Sequence, residues 1–136
     1  MAIQVGWYIP NKVTYMKLVG DFTDATFIKA ANYRTQIASE SPAEKVHLIL
    51  DTSDSAHKID IKNYRKIELP PNNGWTIAVG GTDKVAQFVG TVAMQLMKQE
   101  LRFAKTIDEA MQLLTRFDGS ISPDSANIII NRQFKD

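Results

Sequence analysis

Apolar and polar residues alternate near the start of the chain, in a pattern typical of two β-strands. Residues 3–9 and residues 13–19 are rich in β-forming side chains, and the first run places Ile3, Val5 and Trp7 on one face. A short polar turn separates the two runs. We therefore predict a β-hairpin at the start of the fold.

The rest of the chain alternates between helical and strand patterns. Helical spacing of apolar residues predicts four helices, over residues 24–40, 60–68, 85–97 and 107–117. Apolar runs predict strands over residues 46–50, 75–79 and 101–105. This order predicts one α/β domain with a mixed, mostly parallel sheet, an N-terminal hairpin and about four helices.

Three local patterns add detail to this architecture. Residues 46–50 are almost continuously apolar, which predicts a strand buried on both faces, and we interpret His47 within it as a core residue rather than a ligand. The helix over residues 85–97 has the widest apolar stripe. Thr106 and Glu109 form a capping box in which each side chain bonds the other's backbone N–H.

The last part of the chain, residues 120–136, is more polar than the rest, except for a few apolar residues. We assign residues 1–119 to the domain and residues 120–136 to a polar tail that contains three adjacent isoleucines, 128–130, and Phe134. These side chains are costly to leave in water, so the tail either adds to its own sheet edge or contacts a second copy. We predict self-association as a two-fold dimer, and packing on its own domain remains open.

Composition removes several classes of function. The chain has 136 residues, no Cys, two His and a net charge of +1. Disulfides, thiolate metal sites and cysteine nucleophiles are excluded, and the charge gives no reason to expect nucleic-acid binding. We expect no cofactor. The N-terminus does not read as a signal peptide and the apolar stretch at 85–97 is too short and polar to span a membrane, so we expect a cytoplasmic protein.

Polar residues follow two of the predicted strands, where open α/β sheets bind ligands. The candidate ligand- or partner-binding residues are Asp51, Ser53, Ser55, His57, Thr82 and Asp83. A Ser–His–Asp triad can be drawn from the first group, but no nucleophile-elbow glycines surround the serines, and a polar turn is the simpler interpretation. The turn at 80–83 offers backbone N–H groups to an anion, but Asp83 would repel that anion.

The order of elements resembles the STAS domain, the domain of the anti-sigma-factor antagonist SpoIIAA. The similar segments are residues 13–21, 48–53 and 103–110, and the resemblance covers residues 3–117. It implies a bacterial regulatory domain without catalysis. The family's phospho-acceptor serine has no counterpart here, because Ile61 and Lys62 follow Asp60, and we therefore expect no phospho-switch at this helix.

Three functions are compatible with the composition, the candidate residues and the resemblance to STAS domains. The first is a non-catalytic regulatory or protein-interaction domain, as the resemblance implies. The second is a protein that binds a small apolar ligand or lipid in a pocket beside the helix at 85–97, which is rich in Met and aromatic residues. The third is a hydrolase that uses the loop after Asp51. It ranks last, since well-spaced catalytic groups are missing, and we expect no enzymatic activity.

Overall fold

A computed structural model of the protein describes residues 2–55, 66–80 and 100–136. The strands are β1 (Ala2–Ile9), β2 (Val13–Val19), β3 (Val46–Asp54), β4 (Asn73–Val79), β5 (Glu100–Ala104) and β6 (Ile129–Phe134). The α-helices are α1 (Asp24–Ser39) and α2 (Ile107–Phe117), and a 3₁₀ turn spans Pro123–Ser125. Neither helix is long and apolar enough to cross a membrane.

The six strands form one mixed sheet with the order β5-β4-β3-β2-β1-β6. Strand β1 is antiparallel to both of its neighbours, β2 and β6. Strands β2, β3, β4 and β5 run parallel to one another. The predicted hairpin is therefore confirmed, and the tail supplies a sixth strand that pairs with the first.

The expected number of helices is wrong for the described part of the chain, which contains two α-helices rather than about four. Of the described helices, α1 packs on one face of the sheet and α2 on the other. The predicted helix at 85–97 lies outside the described residues. Most of the predicted helix at 60–68 also lies outside them, and residues 66–68 are not α-helical.

Strand β3 is buried on both faces, as its apolar sequence predicts. Successive residues alternate between the two cores, with Leu48 and Leu50 toward α1 and Ile49 toward α2. The α1-side core consists of Ile3, Val5, Met16, Leu18, Phe22, Phe27, Ala30, Ala31, Ile37, Leu48, Leu50 and Phe134. The α2-side core consists of Ile9, Val13, Tyr15, Ile49, Ile77, Val79, Ala104, Ala110, Met111, Leu114 and Ile121.

Both described helices begin at threonine caps, and that of α2 lies where the Thr106–Glu109 pattern predicts it. The Thr23 hydroxyl accepts from the Thr26 N–H at 3.3 Å, and the Thr106 hydroxyl accepts from the Glu109 N–H at 3.2 Å. A capping box predicts that the Glu109 carboxylate accepts from the Thr106 N–H. Instead, it accepts from the Lys105 N–H at 3.1 Å. The cap therefore reaches one residue further back than the sequence pattern predicts.

Strand β6 comes unusually close to β1 at Gly6. The register between the two strands shifts between Val5 and Gly6, which marks a β-bulge. A Cβ atom at Gly6 would lie 1.9 Å from the carbonyl oxygen of Ile129. Position 6 is therefore glycine because any side chain would collide with the backbone of β6.

Replacing Gly6 with alanine should detach β6 from the sheet. The collision falls on backbone atoms, so we expect a loss of about 1–3 kcal/mol in the free energy of unfolding. Hydrogen exchange should show that the β6 amides lose protection before the rest of the sheet. Gly119→Ala is the control, since a Cβ there meets nothing within 4 Å. Unchanged protection of β6 in Gly6→Ala would contradict the described pairing.

Candidate functional site

Two of the candidate residues at the carboxyl end of β3, Asp51 and Ser53, are hydrogen-bonded to each other. Asp51 is 6% exposed. One carboxylate oxygen of Asp51 accepts from the Ser53 N–H at 3.1 Å and from the Ser53 hydroxyl at 2.5 Å. The other accepts from the Tyr15 hydroxyl at 3.1 Å. The structure thus brings Asp51 and Ser53 together, in the side-chain-to-backbone geometry of an Asx turn.

Ser55 has a different role at the same end of the sheet. Its hydroxyl donates to the carbonyl oxygen of Gly20 at 2.8 Å, and its N–H donates to the carbonyl oxygen of Thr52 at 3.2 Å. These bonds hold the end of β3 against the end of β2. The other three candidates, His57, Thr82 and Asp83, lie outside the described residues.

Tyr15 also belongs to this cluster, although it was not among the residues that the sequence marks as candidates. Burial and the negative charge of Asp51 both raise the pKa of its hydroxyl, which therefore stays protonated and keeps donating. Only the parallel register of β2 and β3 brings the two residues together, and no sequence pattern reveals that register. A phenol in β2, which also contains the polar residues Thr14 and Lys17, is the one visible sign.

Among the described residues, Asp51 and Ser53 are bonded to each other directly, and His57, the third member of the triad drawn from the sequence, lies outside the described ranges. In a triad a histidine stands between the serine and the aspartate, takes the serine proton and is oriented by the carboxylate. Here the Ser53 hydroxyl donates directly to Asp51. Three donors stabilise the buried Asp51 carboxylate, and the arrangement fixes the end of the strand.

A second polar cluster lies at the opposite, amino end of the parallel strands. His47 is 2% exposed, and both of its ring nitrogens have partners. Nδ1 accepts from the Trp75 N–H at 2.9 Å, so it carries no hydrogen. Nε2 therefore carries the ring hydrogen and donates to the Asp118 carboxylate at 2.9 Å. This agrees with the interpretation of His47 as a core residue and leaves neither nitrogen available as a base.

Asp118 joins the end of α2 to this buried ring. Its second carboxylate oxygen accepts from the N–H and the hydroxyl of Ser120, at 2.9 and 2.7 Å. Partial burial alone would raise the pKa of the Asp118 carboxyl. The hydrogen bonds from His47 and Ser120 outweigh that effect and lower the pKa from 3.8 to about 2. Asp118 is therefore ionised throughout the neutral range.

Gly74 allows β4 to pass directly over the His47 ring. A Cβ at position 74 would lie 2.4 Å from Nδ1 of His47, whose ring is held by two hydrogen bonds. Position 74 therefore requires glycine because a larger residue would collide with the His47 ring, not because of the backbone conformation of a turn. Neither residue alone suggests this in the sequence.

Arg34 of α1 enters the same end of the sheet from the other face. It is 3% exposed and donates to the Thr14 hydroxyl at 2.7 Å, the Asn73 side-chain oxygen at 2.8 Å and the Val46 carbonyl oxygen at 3.1 Å. None of the described carboxylates forms an ion pair with it. Burial lowers the pKa of Arg34 to about 9. An arginine that interrupts the apolar face of α1 is the sequence signal for this network.

An open cleft of about 650 Å³ lies beside the His47–Asp118 pair. Trp75 and Phe117 stack in its wall with ring centroids 4.3 Å apart, and the Arg102 guanidinium lies 4.7 Å from the Trp75 ring. The charged lining residues are of both signs: Lys12, Glu44, Lys45, Glu100 and Asp118. The mixture does not favour one ligand charge, and the described ranges contain no group of three potential metal ligands.

The two polar clusters have the same chemical character. Their buried donors and acceptors are bonded to each other, so they fix strands and helix ends in place. Comparison with known proteins finds no matching family model, no matching curated protein and no matching solved structure. The resemblance to STAS domains therefore stays a prediction.

Replacing Tyr15 with phenylalanine should destabilise the fold by about 1–3 kcal/mol, because the buried Asp51 carboxylate loses a donor. Chemical denaturation measures the change. Tyr8→Phe is the matched control, since its ring lies 5.9 Å from that of Tyr15 and the substitution removes a hydroxyl from the same face. Equal stabilities of the two variants would show that the Tyr15–Asp51 bond contributes nothing.

Replacing Asp118 with asparagine should cost about 1.5–3 kcal/mol at neutral pH, through the loss of charged hydrogen bonds. The folded-state pKa lies below the unfolded one, so the ionised group stabilises the fold above the unfolded value. That contribution is lost as the pH falls from about 4 to about 2.

Denaturation curves of parent and variant across this range should therefore converge on acidification. Asp124→Asn, at an exposed position of the 3₁₀ turn, should leave stability unchanged at every pH. A difference between parent and Asp118→Asn that stays constant down to pH 2 would contradict this assignment.

Proposed function

We propose that the protein is a non-catalytic protein-interaction domain that acts as a two-fold dimer joined through strand β6. The observation that carries the proposal is the exposure of three consecutive isoleucines at an edge of the sheet. Ile128 is 55% exposed, Ile129 44% and Ile130 40%. Strand β6 is the last in the sheet order, so its outer edge is available for pairing.

Burial of these side chains supplies the driving force. A fully buried isoleucine stabilises an interface by about 1.5–3 kcal/mol. The pairing of Ile129 with Trp7 and Ile130 with Gly6 places the two side chains on opposite faces of the sheet. A second sheet added at this edge would thus cover apolar surface on both faces and bond the edge backbone as well.

An antiparallel pairing of two β6 strands suits the order of their side chains. A two-fold axis at Ile130 sets each Ile130 against its copy and sets Ile128 against Arg132 of the second strand. The two Arg132 side chains do not oppose each other, so the pairing avoids a like-charge contact. The same strand can therefore serve both partners, as a two-fold interface requires.

Three further considerations support an interaction role. The polar clusters at both ends of β3 are bonded internally, which favours a structural role for them. The resemblance of residues 13–21, 48–53 and 103–110 to STAS domains supports a regulatory role in the bacterial cytoplasm. The net charge of +1 favours a protein partner over nucleic acid.

The alternative function, binding of an apolar ligand, was predicted for a pocket beside residues 85–97. These residues lie outside the described ranges.

Ile130→Lys should weaken dimerisation by roughly 10- to 100-fold, because it removes one apolar contact per copy and opposes two charges at the axis. Sedimentation equilibrium at micromolar concentration measures the effect. Gln133→Lys adds the same charge at an exposed position of β6 away from the axis, and it should dimerise nearly as well as the parent. A parent protein that sediments as a monomer would refute the proposal.

A further inference from the structure

Asp136 is bonded to the start of helix α1, more than a hundred residues away in the chain. One of its carboxylate oxygens accepts from the Thr23 N–H at 2.9 Å, the Thr23 hydroxyl at 3.0 Å and the Thr26 hydroxyl at 2.5 Å. The other accepts from the Thr23 N–H at 3.1 Å. The carboxylate also lies at the positive end of the helix dipole, where a negative charge is favourable.

The receiving residues are well placed to hold this carboxylate. Thr26 is 6% exposed, so its hydroxyl is oriented within the protein rather than by water. The Thr23 hydroxyl already caps α1 through the Thr26 N–H. The helix therefore has its own local cap, and Asp136 is not needed to start it. The bonds to Asp136 instead join the end of the tail to α1.

Strand β6 needs such an attachment because the rest of it is held weakly. Residues 129–133 are exposed, and Phe134 is the first buried side chain of the strand. Arg132 lies over the rings of Phe134 and Tyr33, at 4.7 and 5.5 Å. The bulge opposite Gly6 interrupts the pairing in the middle. A slip of one residue would move every side chain of β6 to the other face, and a strand whose side chains are mostly exposed on both faces opposes such a slip only weakly.

We propose that Asp136, Thr23 and Thr26 form a latch that holds β6 on its own sheet in one register. The latch fixes the position of residue 136, and Phe134 and Arg132 then face α1 as a consequence. It thereby sets the faces on which Ile129 and Ile130 are presented to a second copy. The claim about presentation to a second copy rests on the proposed function. The claim that the latch holds β6 on its own sheet does not.

Hydrogen exchange on Asp136→Ala tests the latch directly. The β6 amides should exchange about five- to tenfold faster than in the parent, since the variant loses a charged cap of typical strength. The core amides of β3 should not change. Asp124→Ala removes an exposed carboxylate from the same tail and should leave β6 exchange as in the parent.

Two variants test the receiving side. Thr26→Val keeps the side-chain shape but removes the hydroxyl, and it should accelerate β6 exchange as Asp136→Ala does. Thr26→Ser keeps the hydroxyl and should restore most of the protection. Combining Thr26→Val with Asp136→Ala should add little to either single change, because both remove the same contact. Unchanged β6 exchange in Asp136→Ala and Thr26→Val would overturn the latch.

Sedimentation of the same variants separates this inference from the proposed function. Accelerated β6 exchange in a parent that is monomeric would support the latch and refute the dimer. A dimeric parent whose β6 exchange is indifferent to Asp136→Ala would support the dimer and refute the latch. If both hold, Asp136→Ala should also weaken dimerisation severalfold, and Asp124→Ala should not.

Discussion

The guanidinium of Arg34 is the contact on which the amino end of the sheet depends. It crosses from α1 to bond the Thr14 side chain, the Val46 carbonyl oxygen and the Asn73 side chain, which lie on three successive parallel strands. A buried cation bonded to neutral acceptors is costly to desolvate, so all three acceptors must be in place together. One side chain thereby fixes how α1 lies on the sheet and how the strands align at this end.

Strand β3 shows why polar residues in a core need not be catalytic. Its amino end carries His47, which is enclosed by Trp75 and Asp118, and its carboxyl end carries Asp51. Between them the strand is apolar and buried. The hydrogen bonds at both ends satisfy groups that burial would otherwise penalise, and they prevent the strand from sliding along its neighbours. The same bonds that make these residues look like a site hold both ends of the strand in place.

The pattern of apolar and polar residues predicted the hairpin, α1, the doubly buried β3 and the cap of α2. Each of these depends on residues that are close together in the sequence. The polar pairs escaped prediction for the opposite reason. Asp118 lies 71 residues from His47 along the chain, and Asp136 lies 113 residues from Thr23. Their pairing follows from strand order and register, which one sequence does not reveal. The expected number of helices is wrong for the described residues, where 66–68 are not α-helical, and the helix predicted at 85–97 lies outside them.

The position of β1 between β2 and β6 has a consequence for how the chain folds as it is made. Residues 2–9 leave the ribosome before residues 129–134, which pair with their outer edge. At the usual rate of synthesis about 6 to 24 seconds separate the two segments. During that interval the nascent hairpin presents an open strand edge to its surroundings. The strand order thus leaves this edge of β1 without its partner strand until residues 129–134 have been made.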